Sequence, residues 1–350
     1  MRTLQDLLGI ELPVIQAPMA GVQDSGLTIA VSNAGGLGSL PCALLTAEQM
    51  RAELTAIKAS TDRPFNVNFF CHTPPVPNAE REAIWRKTLE KYYRELGLDQ
   101  SSAVVAPQRA PFTANAADLL EDFRPPVVSF HFGLPSPALL VRLRSWGAKI
   151  LSSATTIEEA LWLEARGVDA IIAQGLEAGG HRGHFLSSDL TRQLTAFTLI
   201  PQIVQAVNVP VIAAGGIADA RGVAAAHSLG AAGVQSGTAY LLCPEATTSS
   251  VHRAALTSDV ARHTALTNLF TGRPARAIMN RLMRDLGAMN SVAPDFPLAA
   301  AALAPLRTKA EREGRGDFSP LWAGQHACSC RPISAANLTR ELGAESPFPK

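Results

Sequence analysis

Several large functional classes are excluded by what the 350-residue chain lacks. Five cysteines, an odd number at irregular spacing, do not make a disulfide framework. Only Cys328 and Cys330 are near neighbours, and a lone C-x-C without further ligands is not a metal site. Apolar runs stay short: LAAAALAPL at 298–306 is about half of the roughly 18 residues a membrane helix needs. Charge of one sign is missing too, with 31 basic against 30 acidic residues and a net charge of +1. That balance disfavours a nucleic-acid surface and a polybasic membrane patch. RTKAEREGRG at 307–316 alternates in sign and reads as a solvated face. The opening MRTLQDLLGI has no long apolar stretch of the signal-peptide kind, so a soluble cytoplasmic protein is expected.

Motifs are absent as well. No GxGxxG follows the first apolar run, and neither GxxxxGK[ST] nor GxSxG occurs, which disfavours a dinucleotide-binding Rossmann domain, a P-loop and a serine hydrolase. His181 and His184 stand three apart, but Gly179, Gly180 and Gly183 make a chelating helix unlikely there, and no metal is expected.

What is present is a regular alternation. The chain is 47% hydrophobic, enough for a large covered interior. Candidate strands, apolar on both faces, occupy 13–19, 35–40, 64–70, 126–133, 148–154, 169–175, 210–216 and 233–241. Helix punctuation separates them: Ser136 and Pro137 open one helix, and Asp219 another. Capping boxes pair Thr156 with Glu159 and Thr46 with Gln49. The later strands recur at about 20 residues, one strand plus one helix, with the 169–210 interval doubled. The expected fold is α/β: a (β/α)8 TIM barrel, with a doubly wound open sheet as the alternative. Residues 72–125 and 262–316 break the rhythm and are expected to form a smaller helical substrate or lid domain over the mouth. The barrel would then comprise 1–71, 126–261 and 317–350, the tail supplying its closing helix.

Strand ends collect polar groups and glycines. Gly215, Gly216, Gly237 and Thr238 follow the last two strands, where barrels commonly bind phosphate, though glycines there also serve tight turns. Asn68 and Gln174 end strands with amides that suit the alternating donors and acceptors of a flavin's pyrimidine edge, or equally a neighbouring backbone. Met19 and Ala20 would form an apolar wall. The doubled interval holds QGLEAGGHRGHF at 174–185, a proton-trading histidine on a glycine-rich loop directly after a strand. His131 reads as a structural histidine, and packing or solvent accounts for His227, His252 and His263. Adjacent Cys71 and His72 suggest a thiolate pair but are more simply accidental.

Taken together, QAPMAG, NVNFF, HFGLP, GLEAGGHRG, AAGGI and QSGT resemble the nitronate monooxygenase family, formerly called 2-nitropropane dioxygenase, in its bacterial-type class I. The resemblance spans about residues 10–330 and implies an FMN-holding barrel under a helical substrate domain. Carried over, the FMN contacts are Ala17, Pro18, Met19, Asn68, Gln174, Gly179, Gly180, Gly215, Gly216, Gln235, Ser236, Gly237 and Thr238. His181 matches the catalytic histidine. The implied reaction is oxidation of an alkyl nitronate by O2 to a carbonyl compound and nitrite, with propionate 3-nitronate as substrate class and nitroalkanes admitted after loss of the α-proton. A homodimer is compatible with it. The chain departs from some members at GVQDSGL, with Val22, which bears on substrate placement. The rival readings are an FMN-dependent NAD(P)H oxidoreductase of enoyl-acyl-carrier-protein reductase or quinone reductase type, and a non-catalytic flavin binder.

Overall fold

The computed structural model describes residues 3–100 and 109–344. Eight parallel strands carry the fold: β1 (Val14–Gln16), β2 (Gly38–Pro41), β3 (Phe65–Phe70), β4 (Val127–His131), β5 (Lys149–Ala154), β6 (Ala170–Gln174), β7 (Val211–Ala214) and β8 (Gly233–Ser236). They pair in sequence from β2 to β8, β8 pairs with β1, and a bridge between Ile15 and Leu37 closes the ring. All eight expected strands are there, and the sheet closes as a TIM-type barrel rather than opening. The strands are shorter than the apolar runs: β1 ends at Gln16, before Ala17 and Pro18, and β8 at Ser236, before Gly237.

Each strand buries both faces. Outward side chains such as Val14, Val67, Ile150 and Ile171 join helix residues including Leu27, Leu54, Leu163, Leu199 and Leu338 in the main core. Inward ones such as Ile15, Leu151, Ile172 and Ile212 pack on Leu4 and Leu8 of a short helix, Leu4–Leu8, that plugs the far end. Above this apolar layer the interior turns polar. Asn66 Nδ2 donates to Ser39 Oγ and Ser129 Oγ, and Asn68 Nδ2 also donates to Ser129 Oγ, each at 2.9 Å. The polar layer is the floor of the site.

Caps set the helix starts. Thr46 and Gln49 form the expected reciprocal box, and Asp219 caps Ala220–Ser228 through the Gly222 N–H. The box expected at Thr156 is only half made. Thr156 accepts from Glu159 N, but the Glu159 carboxylate turns into the protein instead. Ser136 precedes its helix without a side-chain cap.

A second core, built from Trp85, Leu89, Tyr92, Leu282, Leu303, Leu306 and Phe318, lies between helices Ala79–Glu95 and Ala299–Arg312. Two expectations need correction. Helix Ala114–Phe123, assigned to the lid, puts Ala117, Leu119 and Leu120 into the barrel core. Nor is the second unit purely helical: Thr264–Thr267 and Ala275–Ile278 form an antiparallel pair, extended by Gly180–His181. The turn between the first two contains Gly272 at φ +89°, a conformation that favours glycine. The closing helix Ala335–Gly343 comes from the tail and packs through Leu338 and Leu342 on the barrel. No described helix is long and apolar enough to cross a membrane.

Gly38 shows how tightly the layers meet. A Cβ there would overlap the backbone carbonyl of Thr28 in helix Ser25–Asn33, which cannot swing aside as a side chain can. Gly38→Ala is expected to cost about 1–3 kcal/mol as overpacking. Urea unfolding measures it, and an unchanged midpoint would show that the helix can withdraw.

Candidate functional site

One cavity opens at the C-terminal ends of the barrel strands, with about 1500 Å³ of space counting its mouth. All fourteen residues singled out from the sequence line it, from Ala17, Pro18 and Met19 after β1 to Gly237 and Thr238 after β8, with His181 among them. Val22 lines it too.

The loop after β6 is shaped by side chains bonding to backbone. Gln174 Nε2 donates to His181 O at 3.0 Å, while its Oε1 accepts from Gly183 N at 2.8 Å. Arg182 is fully buried and gives its guanidinium to Gln193 Oε1, Gly175 O and Gln174 O, at 2.6, 2.7 and 2.9 Å. Burial pushes the Arg182 pKa down to about 9. Glu159, also buried, accepts from Thr155 N and Oγ1 and from the N–H groups of Phe185 and Leu186. Glu177 accepts from Ala196 N, capping helix Ala196–Ala206 where Thr195 makes no side-chain cap.

His181 is therefore held from both ends. Its carbonyl accepts from Gln174 and, at 3.1 Å, from His131 Nε2. Its ring nitrogen Nε2 lies 2.9 Å from Thr271 Oγ1, in the turn between the two antiparallel strands. Phe296 and Trp322 rings stand 5.3 Å from it, and Phe132 and Phe70 slightly beyond. Burial, with Arg109, His131, Arg273 and His72 nearby, holds its pKa well below the ordinary histidine value. It is a neutral imidazole with a lone pair available.

His131 is fixed just as firmly. A carbonyl only accepts, so Nε2 carries the proton given to His181 O, and Nδ1 must accept from Ser153 Oγ at 2.5 Å. Burial lowers its pKa to about 3. The structural reading of His131 fits these bonds, although its ring also lines the cavity. His184 is buried, lines no part of the cavity, and receives the Arg273 guanidinium on its carbonyl. At Cys71 burial pushes the thiol up, and at His72 burial pushes the imidazole down to about 4, so no thiolate–imidazolium pair forms. Among the described residues no cluster suits a metal ion.

The candidate cofactor residues divide by what already occupies them. Gly215 and Gly216 have φ of +119° and +72° and flank the cavity with backbone alone. Turn Thr238–Tyr240 starts at Gly237 without a side-chain cap, leaving its first N–H groups open to an anion. Gln235 Oε1 is buried with no partner among the described residues. Asn68 Nδ2 and Ser236 Oγ are committed to Ser129 and to Ile217 O. Thr238 Oγ1 accepts from Gly324 N. A Cβ on Gly179 would strike the Ala323–Gly324 backbone, so that glycine serves chain packing, whereas Gly180 faces open space at φ +70°.

Sequence reasoning missed Arg109, His252, Trp322 and His326, which also line the cavity. His252, whose place on a helix packing or solvent would explain, faces the site, and its buried Nε2 has no partner among the described residues. Arg109 lies in the Pro-rich connection, where no periodicity points, and its Nη1 has no partner among the described residues.

Buried neutral histidines make stability depend on acid. His131 and His184 are lowered to about 3 and His252 to about 4, against 6.5 ordinarily. The unfolded chain takes up protons below about pH 6.5 that the folded one refuses, so their stabilisation is whole above that pH and is lost on acidification, by up to about 1.4 kcal/mol per pH unit for each. Urea midpoints should hold steady at neutral pH and fall steeply from about pH 6.5 to 4; a flat profile would contradict the assignment.

A model of the nitronate monooxygenase family matches residues 1–345. The chain is 42% identical to a nitronate monooxygenase of Pseudomonas aeruginosa, covering 97% of each, and 41% identical to one of Paraburkholderia phytofirmans, covering 98% of this chain and 94% of the other. Among solved structures it is similar to a nitroalkane oxidase from Streptomyces ansochromogenes, with TM-score 0.87 and 38% identity over 98% of this chain and 97% of that one. It is more distantly similar to FabK from Thermotoga maritima, at 0.73 and 27% over 98% and 95%. The chain belongs to the nitronate monooxygenase family, flavin-dependent oxidoreductases, and is an enzyme that oxidises nitronates or nitroalkanes.

Proposed function

We propose that the cavity binds FMN and that the enzyme oxidises alkyl nitronates with O2, giving a carbonyl compound and nitrite. The observation that carries this reading is the charge of the wall. Its described lining residues include one guanidinium, Arg109, and four imidazoles, those of His131, His181, His252 and His326, but no carboxylate. The buried Arg109 Nη1 has no partner among the described residues, and such a nitrogen is costly until an anion reaches it. A nitronate is an anion, and propionate 3-nitronate carries a carboxylate besides, so that class is the proposed substrate.

The residues fit FMN better than a dinucleotide, because there is one phosphate cradle and no GxGxxG. Gly215, Gly216, Gly237 and Thr238 would hold the phosphate through backbone N–H groups. Asn68, Gln174 and the unpartnered Gln235 Oε1 would meet the ring's polar edge, with Ala17, Pro18 and Met19 as its apolar wall. Bound there, FMN would take electrons from the nitronate and pass them to O2. The protein's part is to exclude water with Phe70, Phe132, Phe296 and Trp322, to orient the anion, and to present a neutral imidazole at His181. That imidazole can take the α-proton of a neutral nitroalkane. The nitronate charge forming beside it raises its proton affinity as the transfer proceeds.

The second reading, an FMN-dependent NAD(P)H oxidoreductase, draws on the likeness to FabK. Anaerobic mixing separates the two. The acid-released cofactor should run as FMN, and propionate 3-nitronate should change the flavin spectrum within the mixing time while NADH and NADPH do not. Rapid bleaching by NADH with no response to the nitronate would favour the reductase.

The base is tested by His181→Asn. Activity on a neutral nitroalkane should fall by roughly 10²- to 10⁴-fold, and far less on the pre-formed nitronate, whose proton is already gone. His184→Asn, outside the cavity, should discriminate little between the two substrates. Equal losses on both substrates in His181→Asn would leave the residue a binding role only.

A further inference from the structure

Thr271 belongs to the second unit, yet its side chain reaches the imidazole offered by the barrel loop. It is buried, with 1% of its surface exposed. Oγ1 lies 2.9 Å from His181 Nε2, and its other polar neighbours are Arg273 O at 3.4 Å and Arg273 N at 3.5 Å. His181 Nδ1 makes no hydrogen bond with any described residue, and the ring lines the cavity.

We propose that Thr271 is a positioning residue that fixes the working tautomer of His181: Nε2–H donates to Thr271 Oγ1, and Nδ1 is the atom that takes the substrate's α-proton. This rests on the reading of His181 as the base. A neutral imidazole has one N–H, and two arrangements can satisfy the pair. In the first, Nε2–H donates to Oγ1 and the hydroxyl turns to the Arg273 carbonyl, so each donor has an acceptor and the lone pair is left for the cavity. In the second, the hydroxyl donates to Nε2, the Arg273 carbonyl loses that donor, and Nδ1–H occupies the place where a base is needed. The first also requires no rearrangement during the reaction, because the imidazolium keeps Nε2–H on the same oxygen.

The transfer balances. The α-C–H bond breaks, an N–H bond forms at Nδ1, and the bonding pair stays on the substrate as nitronate. Imidazolium and nitronate are left as an ion pair, with no change of oxidation state. The separation of charge is supported by the hydroxyl, which takes part of the positive charge at Nε2.

Two variants and one spectroscopic measurement test this. Thr271→Val should lower kcat/KM on a neutral nitroalkane by about 10- to 10²-fold, less than removal of the base itself, and clearly more than on the pre-formed nitronate. The deuterium effect with α-deuterated nitroalkane should rise, and Thr271→Ser should restore both. Nitrogen NMR of the histidine-labelled holoenzyme should find the His181 proton on Nε2, a result independent of how any variant folds. A proton on Nδ1, equal losses on both substrates in Thr271→Val, or failure of serine to rescue a folded enzyme would overturn the proposal. Its failure is separable from failure of the base: a selective His181→Asn with a harmless Thr271→Val removes Thr271 alone, whereas an unselective His181→Asn removes the base.

Discussion

The site depends on one withdrawn cation. Arg182 has no surface exposed and makes no ion pair with any described carboxylate; neutral oxygens at the end of β6 and across the loop take its hydrogen bonds, while Glu177 and Glu159 favour its charge from further away. An arginine so placed is costly to desolvate, and losing any acceptor would leave a buried N–H unpaired. The loop therefore has one arrangement in which Arg182 is satisfied. This is how four glycines between 175 and 183 coexist with a fixed histidine. Regular secondary structure would restrain the backbone by its own ladder. Here that ladder covers only Gly180–His181, and Arg182, Gln174 and Glu159 restrain the rest, while the glycines leave room for close approach at 179 and for open cavity at 180.

That constraint places His181 on a seam. Its backbone is tied to the barrel through Gln174 and His131, while its ring is tied to the second unit through Thr271 and enclosed by Phe296 and Trp322. The Gly180–His181 segment also pairs with Ala275–Ile278, so the barrel loop supplies an edge strand to its neighbour's sheet. The main and second hydrophobic cores are separate, but His181 belongs to both units. Any relative displacement of the units changes the geometry of the histidine directly, without a longer chain of contacts.

The barrel was legible in the sequence because its signals are local. Runs such as DAIIAQG and PVIAAGG are apolar on both faces and end in glycine, and Thr46–Gln49 announces a helix within four residues. Strand ends then point to the cavity, which is why the polar and glycine positions chosen along the chain meet around one space. Signals carried by partners distant in sequence were not legible. TALT and ARAI have weak strand character and become strands through each other and through Gly180–His181. Glu159 fits the capping spacing, yet its carboxylate is claimed by Phe185 and Leu186, more than twenty residues on. Arg109, His252 and Thr271 lie in stretches whose pattern marks no strand end, so only their packing brings them to the site.

Electrostatics joins these observations. A wall whose described residues include arginine and imidazoles but no carboxylate would, if fully protonated, repel itself. Burial and the neighbouring guanidiniums keep three of these histidines neutral: His131 lowered to about 3, His252 to about 4, and His181 well below its ordinary value. The fixed positive charge of the described wall is the Arg109 guanidinium, which does not readily release its proton and whose Nη1 has no partner among the described residues. An anion entering such a site meets both fixed charge and neutral bases, and its own charge shifts those bases toward protonation. The same burial that keeps the His181 pKa low therefore leaves that imidazole responsive to a negative charge brought beside it.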